Sequence, residues 1–266
     1  MIDRTQPSVT MSRREILMGL ATGAVVPFAA SGCAENEALG RSQLMLVSPQ
    51  QIAQLSDQTW RQSLQELPRS RDASLRRRLD RVGSRVVSAS GLTNYDWEFE
   101  VFENDQANAW VLPNGKVGFY TGMFDVVQND DQIATILGHE AGHVAGRHAA
   151  ERASQQMAAG LATTAIAVGM EQADVQNAGQ WAAVLGAGAM FGVLLPYSRQ
   201  HEFEADRLGV DYMAGARYRP NEAVDFWELM MRRQGGSRTP SFLSTHPSSD
   251  QRMARLQSHI QARGYS

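Results

Sequence analysis

His139, Glu140 and His143 stand in the run His-Glu-Ala-Gly-His, two imidazoles one helical turn apart with a carboxylate beside the first. Side chains four residues apart project from one face of a helix, so His139 and His143 can bind a single ion together. Zinc takes imidazole nitrogen and carboxylate oxygen and, at a catalytic site, keeps one coordination position for water. Such an ion lowers the pKa of that water toward ~7 and polarises a carbonyl, and Glu140 is placed to take the proton. The pattern specifies few positions. A helix with two surface histidines, or with two core histidines satisfied by carboxylates, would also show it, so residues elsewhere must decide.

Two completions of the site compete. In the metzincin pattern a glycine and then a third histidine follow on the same stretch. Gly146 falls at the glycine position, but Ala149 occupies the histidine position and His148 comes one residue early. On a continuing helix His148 would lie roughly 140° around the axis from His143 and point away. Arg147, Ala149, Ala150, Glu151 and Arg152 are good helix formers, so continuation is expected, with His148 making a polar contact on another face. The second completion takes a carboxylate from a later helix. Glu202 and Asp206 lie one turn apart; Glu202 can ligate zinc while Asp206 orients a ligand histidine through its other ring nitrogen. Glu204 should face elsewhere, and the plainer alternative for both Glu202 and Glu204 is a solvated acidic face.

His246 lies in a Ser/Thr/Pro/Gly-rich stretch, 235–249. It is either a structural loop histidine or a residue of the site. In the site it would aid the oxyanion, or fill the open coordination position and displace the water, which would leave the site latent. Arg252 is expected to pair with an acidic neighbour.

Several elements must position these groups. Ser48 and Pro49 read as N-cap and first helical residue, and Ile52, Leu55, Trp60, Leu64 and Leu67 mark the apolar face that follows. Leu75, Leu79, Val82, Val86 and Val87 mark a second helix over 73–88. From Tyr95 the period changes to alternation, giving strands around Trp97–Val101, Ala109–Val111 and Val117–Phe119, with a turn at Pro113-Asn114-Gly115. A small antiparallel sheet before the His-Glu-Ala-Gly-His helix is therefore expected. Helix dominates from Asp131, with further helices over 199–215, 220–234 and 248–263. The Ala/Gly-rich residues 157–195 are interrupted by Glu171, Asp174, Asn177 and Gln180. The pieces fall short of the ~18 uncharged residues of a membrane span, so they read as buried helices. The fold class is α+β and mostly helical.

The N-terminus reads as an export signal over 1–32. Arg13 and Arg14 precede an apolar run from Ile16 to Ala30, and Ser12-Arg13-Arg14-Glu15-Ile16-Leu17 is similar to a twin-arginine signal. Ala30-Ser31-Gly32-Cys33 is similar to a lipobox, which makes Cys33 the candidate lipidation site. Ala34 rather than Asp follows it, which points to an outer-membrane anchor facing the periplasm. Residues 33–47 are then a polar tether and 48–266 the catalytic domain. The chain has 266 residues, of which 43% are hydrophobic, enough for one full core. A formal charge of -3 offers nucleic acid no basic footprint. A single cysteine excludes an internal disulfide framework and a cysteine-based zinc site.

Taken in order, the segments Asn108-Ala109-Trp110 with Pro113-Asn114-Gly115, Ile136 to His143, Ser198-Arg199 through Glu202 to Ala205-Asp206, and Ser244-Thr245-His246-Pro247 with Arg252 resemble one family. It is the zinc metallopeptidases that include HtpX and the CAAX prenyl endopeptidases, with bacterial lipoprotein and outer-membrane-assembly members of the BepA and LoiP type. The resemblance implies a gluzincin fold, one zinc ion on His139, His143 and Glu202, Glu140 as base, and polypeptide substrates, here misfolded or unassembled envelope proteins. In such proteases an edge strand pairs with extended substrate; Ala109–Leu112 or Val117–Tyr120 is the candidate. A rival reading is a non-catalytic, zinc-stabilised, chaperone-like envelope factor. A hydrolase of another bond is a second rival.

Overall fold

The computed structural model describes residues 32–172, 197–233 and 240–265. Residues 1–31, which hold all but the last residue of the expected export signal, and the part of the Ala/Gly-rich stretch beyond residue 172 lie outside them.

The first described element corrects an expectation. Residues 33–47 do not form a tether. Strands β1 (Cys33–Asn36) and β2 (Arg41–Leu44) pair antiparallel from Cys33↔Leu44 to Asn36↔Arg41. Gly40 turns the hairpin at φ 66°. Its polar side chains are spent on partners far along the chain, described below, and that is why the composition looked solvated.

Helix α1 (Pro49–Glu66) starts in a capping box: Ser48 Oγ accepts from the Gln51 amide, and the Gln51 side chain accepts from the Ser48 amide. Helix α2 (Ala73–Ser90) is capped by Asp72 and ends where Gly91 turns left-handed at φ 72°. Its face of Leu79, Val82 and Val86 is buried, as the spacing required.

The sheet holds β3 (Glu98–Phe102), β4 (Ala109–Val111) and β5 (Lys116–Tyr120) in the order β3-β5-β4. The expected all-antiparallel sheet is mixed. The turn at Gly115 makes β4 and β5 an antiparallel hairpin, but residues 103–108 carry the chain across the sheet, so that β5 lies parallel to β3. Alternation tells which face a side chain takes and not which neighbour a strand chooses. As the central strand, β5 has both edges paired, so Val117–Tyr120 is not free to bind an extended peptide. β4 is the edge.

Helix α3 (Thr121–Phe124) leads into α4 (Asp130–Ala145), capped by Asn129, then α5 (His148–Gln172), α6 (Arg199–Gly215), α7 (Glu222–Arg232), α8 (Phe242–Thr245) and α9 (Asp250–Ala262). Leu79, Phe119, Ile133, Ile136, Met213, Phe226, Trp227 and Phe242 belong to one core joining sheet and helices. No helix among the described residues is long and apolar enough to cross a membrane.

The crossing of α4 and α6 sets the site. A β-carbon on Gly142 would lie 2.6 Å from the Ala205 carbonyl oxygen, and one on Gly138 would lie 2.8 Å from that of Gly209. Small residues on both helices let the two backbones touch. That contact brings Glu202 and Asp206 against the histidine turn.

Candidate metal centre

Every residue of α4 from Gln132 to Val144 is buried, so the His-Glu-Ala-Gly-His turn is a core turn. His139, His143, Glu202 and His246 converge, each offering one ligand atom, all within 4.8 Å of one another. His139 Nε2 lies 3.0 Å from both His143 Nε2 and His246 Nδ1. The Glu202 carboxylate lies 3.5 Å from His139 Nε2, 3.4 Å from His143 Nε2 and 3.1 Å from His246 Nδ1. Ligand atoms ~2.0–2.2 Å from a tetrahedral ion stand roughly 3.3–3.6 Å apart, so the four residues could hold one small cation.

The charges around them favour a cation too. Burial pushes the His139 imidazolium down, but the Glu202 charge and the Asp206 hydrogen bond outweigh it and raise His139 to about 9. Burial holds His143 well below the ordinary imidazole value, which leaves a neutral ring with a lone pair to offer. Glu202 is pushed up by burial, yet Arg252 and the histidines keep it well below the usual carboxylate range.

Asp206 lies behind His139: Nδ1 donates to Asp206 Oδ1 at 2.9 Å, which turns Nε2 toward the cluster. Arg252 grips Asp206 with two bonds, 2.6 and 2.7 Å, reaches Glu202 Oε2 at 2.6 Å, and lays its guanidinium 3.7 Å over the Trp227 ring. Its expected acidic neighbour is thus two carboxylates.

Glu140 faces the cluster with Oε1 buried and without a hydrogen-bond partner among the described residues, 3.3 Å from His246 Nε2. Burial raises its pKa, which suits a proton acceptor. His246 follows α8 immediately, its amide donating to the Phe242 carbonyl at 2.9 Å. The loop it was expected to occupy is in part this short helix. Val111 and Pro113 at the β4 edge line a small cleft with His143 and Tyr197.

Residues 73–260 contain all of these groups and match the description "Peptidase family M48". The chain belongs to peptidase family M48. It is 34% identical over 180 residues to "Mitochondrial metalloendopeptidase OMA1" of Schizosaccharomyces pombe, covering 67% of this chain and 51% of that protein. It is 29% identical over 245 residues to "Beta-barrel assembly-enhancing protease" of Escherichia coli K12, covering 90% of this chain and 50% of that protein. The chain thus spans about half the length of these curated relatives.

Two expectations about this M48 chain need correction. The helix does not continue past the second histidine: α4 stops at Ala145, Arg147 turns left-handed at φ 51°, and α5 starts at His148. Helix propensity favoured continuation, but the broken end has partners. Asn36 donates to the Ala145 carbonyl at 3.0 Å and Gln43 to the Gly146 carbonyl at 2.6 Å, so the N-terminal hairpin caps α4. Nor is Glu204 a solvated acid; it binds Arg41 and His148.

Sequence reasoning also missed Tyr197. Its ring stacks on His143 with centroids 4.1 Å apart, and burial pushes its phenol upward, keeping it protonated. The one signal was its place directly before the Ser198 N-cap of α6. His201, stacked on His148 at 4.4 Å, carried no signal at all.

Proposed function

We propose that this chain is a zinc-dependent endopeptidase acting on misfolded or unassembled envelope proteins, with His139, His143 and Glu202 as zinc ligands and Glu140 as general base. The observation that carries the reading is Glu140: a buried carboxylate oxygen with no hydrogen-bond partner among the described residues, aimed at a cluster of three imidazoles and a carboxylate. A purely structural zinc site has no use for such a group.

Zinc bound there supplies Lewis acidity, polarising the scissile carbonyl and acidifying a water. Glu140 accepts the proton of the attacking water and delivers it to the leaving amine. The β4 edge takes the substrate backbone as an added strand, which binds many sequences alike because the bonds are to main chain. Asp206, held by Arg252, keeps His139 in the ligating tautomer.

His246 is read as a fourth ligand of the resting enzyme. It contacts Glu202 and Glu140 at once, so its departure would open a coordination position and unburden the base. The envelope assignment rests on the signal-like residues 1–32 and on the relative named for β-barrel assembly. Lipidation of Cys33, exposed at the start of β1, would anchor the domain at the periplasmic face of the outer membrane.

The test is cleavage of an unfolded protein such as reduced casein by wild type and Glu140→Gln, both zinc-loaded. The variant should retain zinc and lose about 100-fold or more in kcat, the scale of general-base catalysis. Equal cleavage would refute the assignment of Glu140. No cleavage by wild type, even with His246→Ala, would favour the chaperone-like reading.

A further inference from the structure

Two features between α4 and α5 exist for the sake of one side chain. A β-carbon on Gly146 would stand 2.3 Å from His148 Nε2, so only glycine leaves room for that ring. Arg147 takes φ 51°, a region non-glycine residues rarely enter and which persists only where surroundings over-determine it. Together they fold His148 back beneath His143.

There His148 is fully buried. Its Nδ1 lies 2.9 Å from His143 Nδ1, and its Nε2 lies 3.0 Å from Glu204 Oε2. Arg41, on β2 of the hairpin, donates to both oxygens of Glu204, at 2.6 and 2.8 Å, and to both oxygens of Glu151, each at 2.9 Å.

The proton positions along this line follow from chemistry. A carboxylate paired with arginine only accepts, so His148 Nε2 carries the hydrogen it donates to Glu204. In the tautomer with its one ring hydrogen on Nε2, His148 presents Nδ1 as a lone pair. His143 Nδ1 must carry the hydrogen between the two rings, and His143 Nε2 is left bare. That bare nitrogen is the atom turned to the cluster, 3.0 Å from His139 Nε2. His139 obtains the same result from Asp206 and Arg252, on α6 and α9.

We propose that His148 is the positioning residue of His143, and that the N-terminal hairpin holds it in place through Arg41 and Glu204. The inference rests on His143 being a zinc ligand. A stretch that composition marks as a tether is thereby part of the metal site, reaching it across more than a hundred residues of chain.

Zinc affinity of the full chain, measured by competition with a chromophoric chelator, tests this without reference to proteolysis. Asn is the informative replacement, because its carbonyl oxygen stands where His148 Nδ1 stands and still accepts from His143. His148→Leu should weaken zinc about 10–100-fold, the usual effect of losing such a partner, while His148→Asn stays within about threefold of wild type. Arg41→Met, at a partly exposed site and one step further from the metal ligands, should speed zinc loss to excess chelator several-fold. It carries the test if His148→Leu fails to fold in a far-UV circular dichroism melt of the metal-free protein. Equal losses for Leu and Asn would show that His148 only fills space and would overturn the proposal. So would wild-type zinc retention in both His148→Leu and Arg41→Met. His143→Ala separates the two readings: if it keeps wild-type affinity, the ligand assignment itself falls.

Discussion

Gly142 and Ala205 are in main-chain contact: a β-carbon on the glycine would stand 2.6 Å from the alanine carbonyl oxygen. The neighbour is backbone and cannot swing aside. Gly142→Val must therefore push α6 away from α4 and carry Glu202 off the histidines. Overpacking of this kind typically destabilises by about 1–3 kcal/mol. Urea unfolding should show a loss in that range, and zinc affinity should fall with it. Unchanged zinc affinity would mean that Glu202 is not held by this contact.

His246 joins the cluster from a segment separate from both ligand helices. His246→Ala should keep zinc on the remaining three ligands and raise hydrolysis of a short flexible peptide above the wild-type resting rate. The cobalt-substituted protein should show an altered visible spectrum, since one ligand is exchanged for water. A fall in kcat with an unchanged spectrum would assign His246 to the oxyanion. No change in either would leave it a structural residue.

Arg252 is a fully buried cation facing Asp206 and Glu202. Removing it strands two carboxylates, and breaking a buried pair in this way costs about 3–5 kcal/mol. Arg252→Met fits the Trp227 face but supplies no charge. The metal-free variant should melt well below wild type, and saturating zinc should recover part of the difference because the ion replaces the lost positive charge. Equal melting temperatures without metal would contradict the role given to Arg252.

Between β3 and β5, Glu98 makes an acid-sensitive joint. The hydrogen bond from Lys116, opposite it in the β3–β5 register, lowers its pKa, and Trp60 Nε1 also donates to it, at 3.0 Å. A carboxylate depressed on folding contributes stability that is present above its unfolded value, about 4.3, and is lost as pH falls through the folded value. Acid titration should therefore change the Trp60 fluorescence below that pH. Glu98→Gln should remove this component and leave the rest of the titration in place. An identical titration in the variant would refute it.

Much of the site was legible from type and spacing. Two histidines and a glutamate on one turn, then Glu202 and Asp206 one turn apart, encode their own faces because helical periodicity is a local property. The helix over 199–215 was legible for the same reason, and Ser48 announced the helix start it caps. The direction of β3 against β5 was not, because alternation carries no information about the partner strand. The break at Gly146-Arg147 was hidden as well: helix propensity is weak beside two side-chain bonds from a hairpin distant in sequence. Tyr197 had only its place before the Ser198 N-cap and His201 no signature at all, since stacking depends on how helices approach and not on neighbours in the chain.

Residue types and spacing were enough for the chemistry available: which side chains could ligate an ion, which could move a proton, and the family they belong to. Which of them meet depends on how distant segments pack. The close glycine contact of α4 and α6 sets Glu202 against the histidines, α9 delivers Arg252, and the hairpin of residues 33–44 reaches His143 through Glu204 and His148. These are contacts between segments far apart in the chain, and their energies come from packing and burial, which no local pattern records.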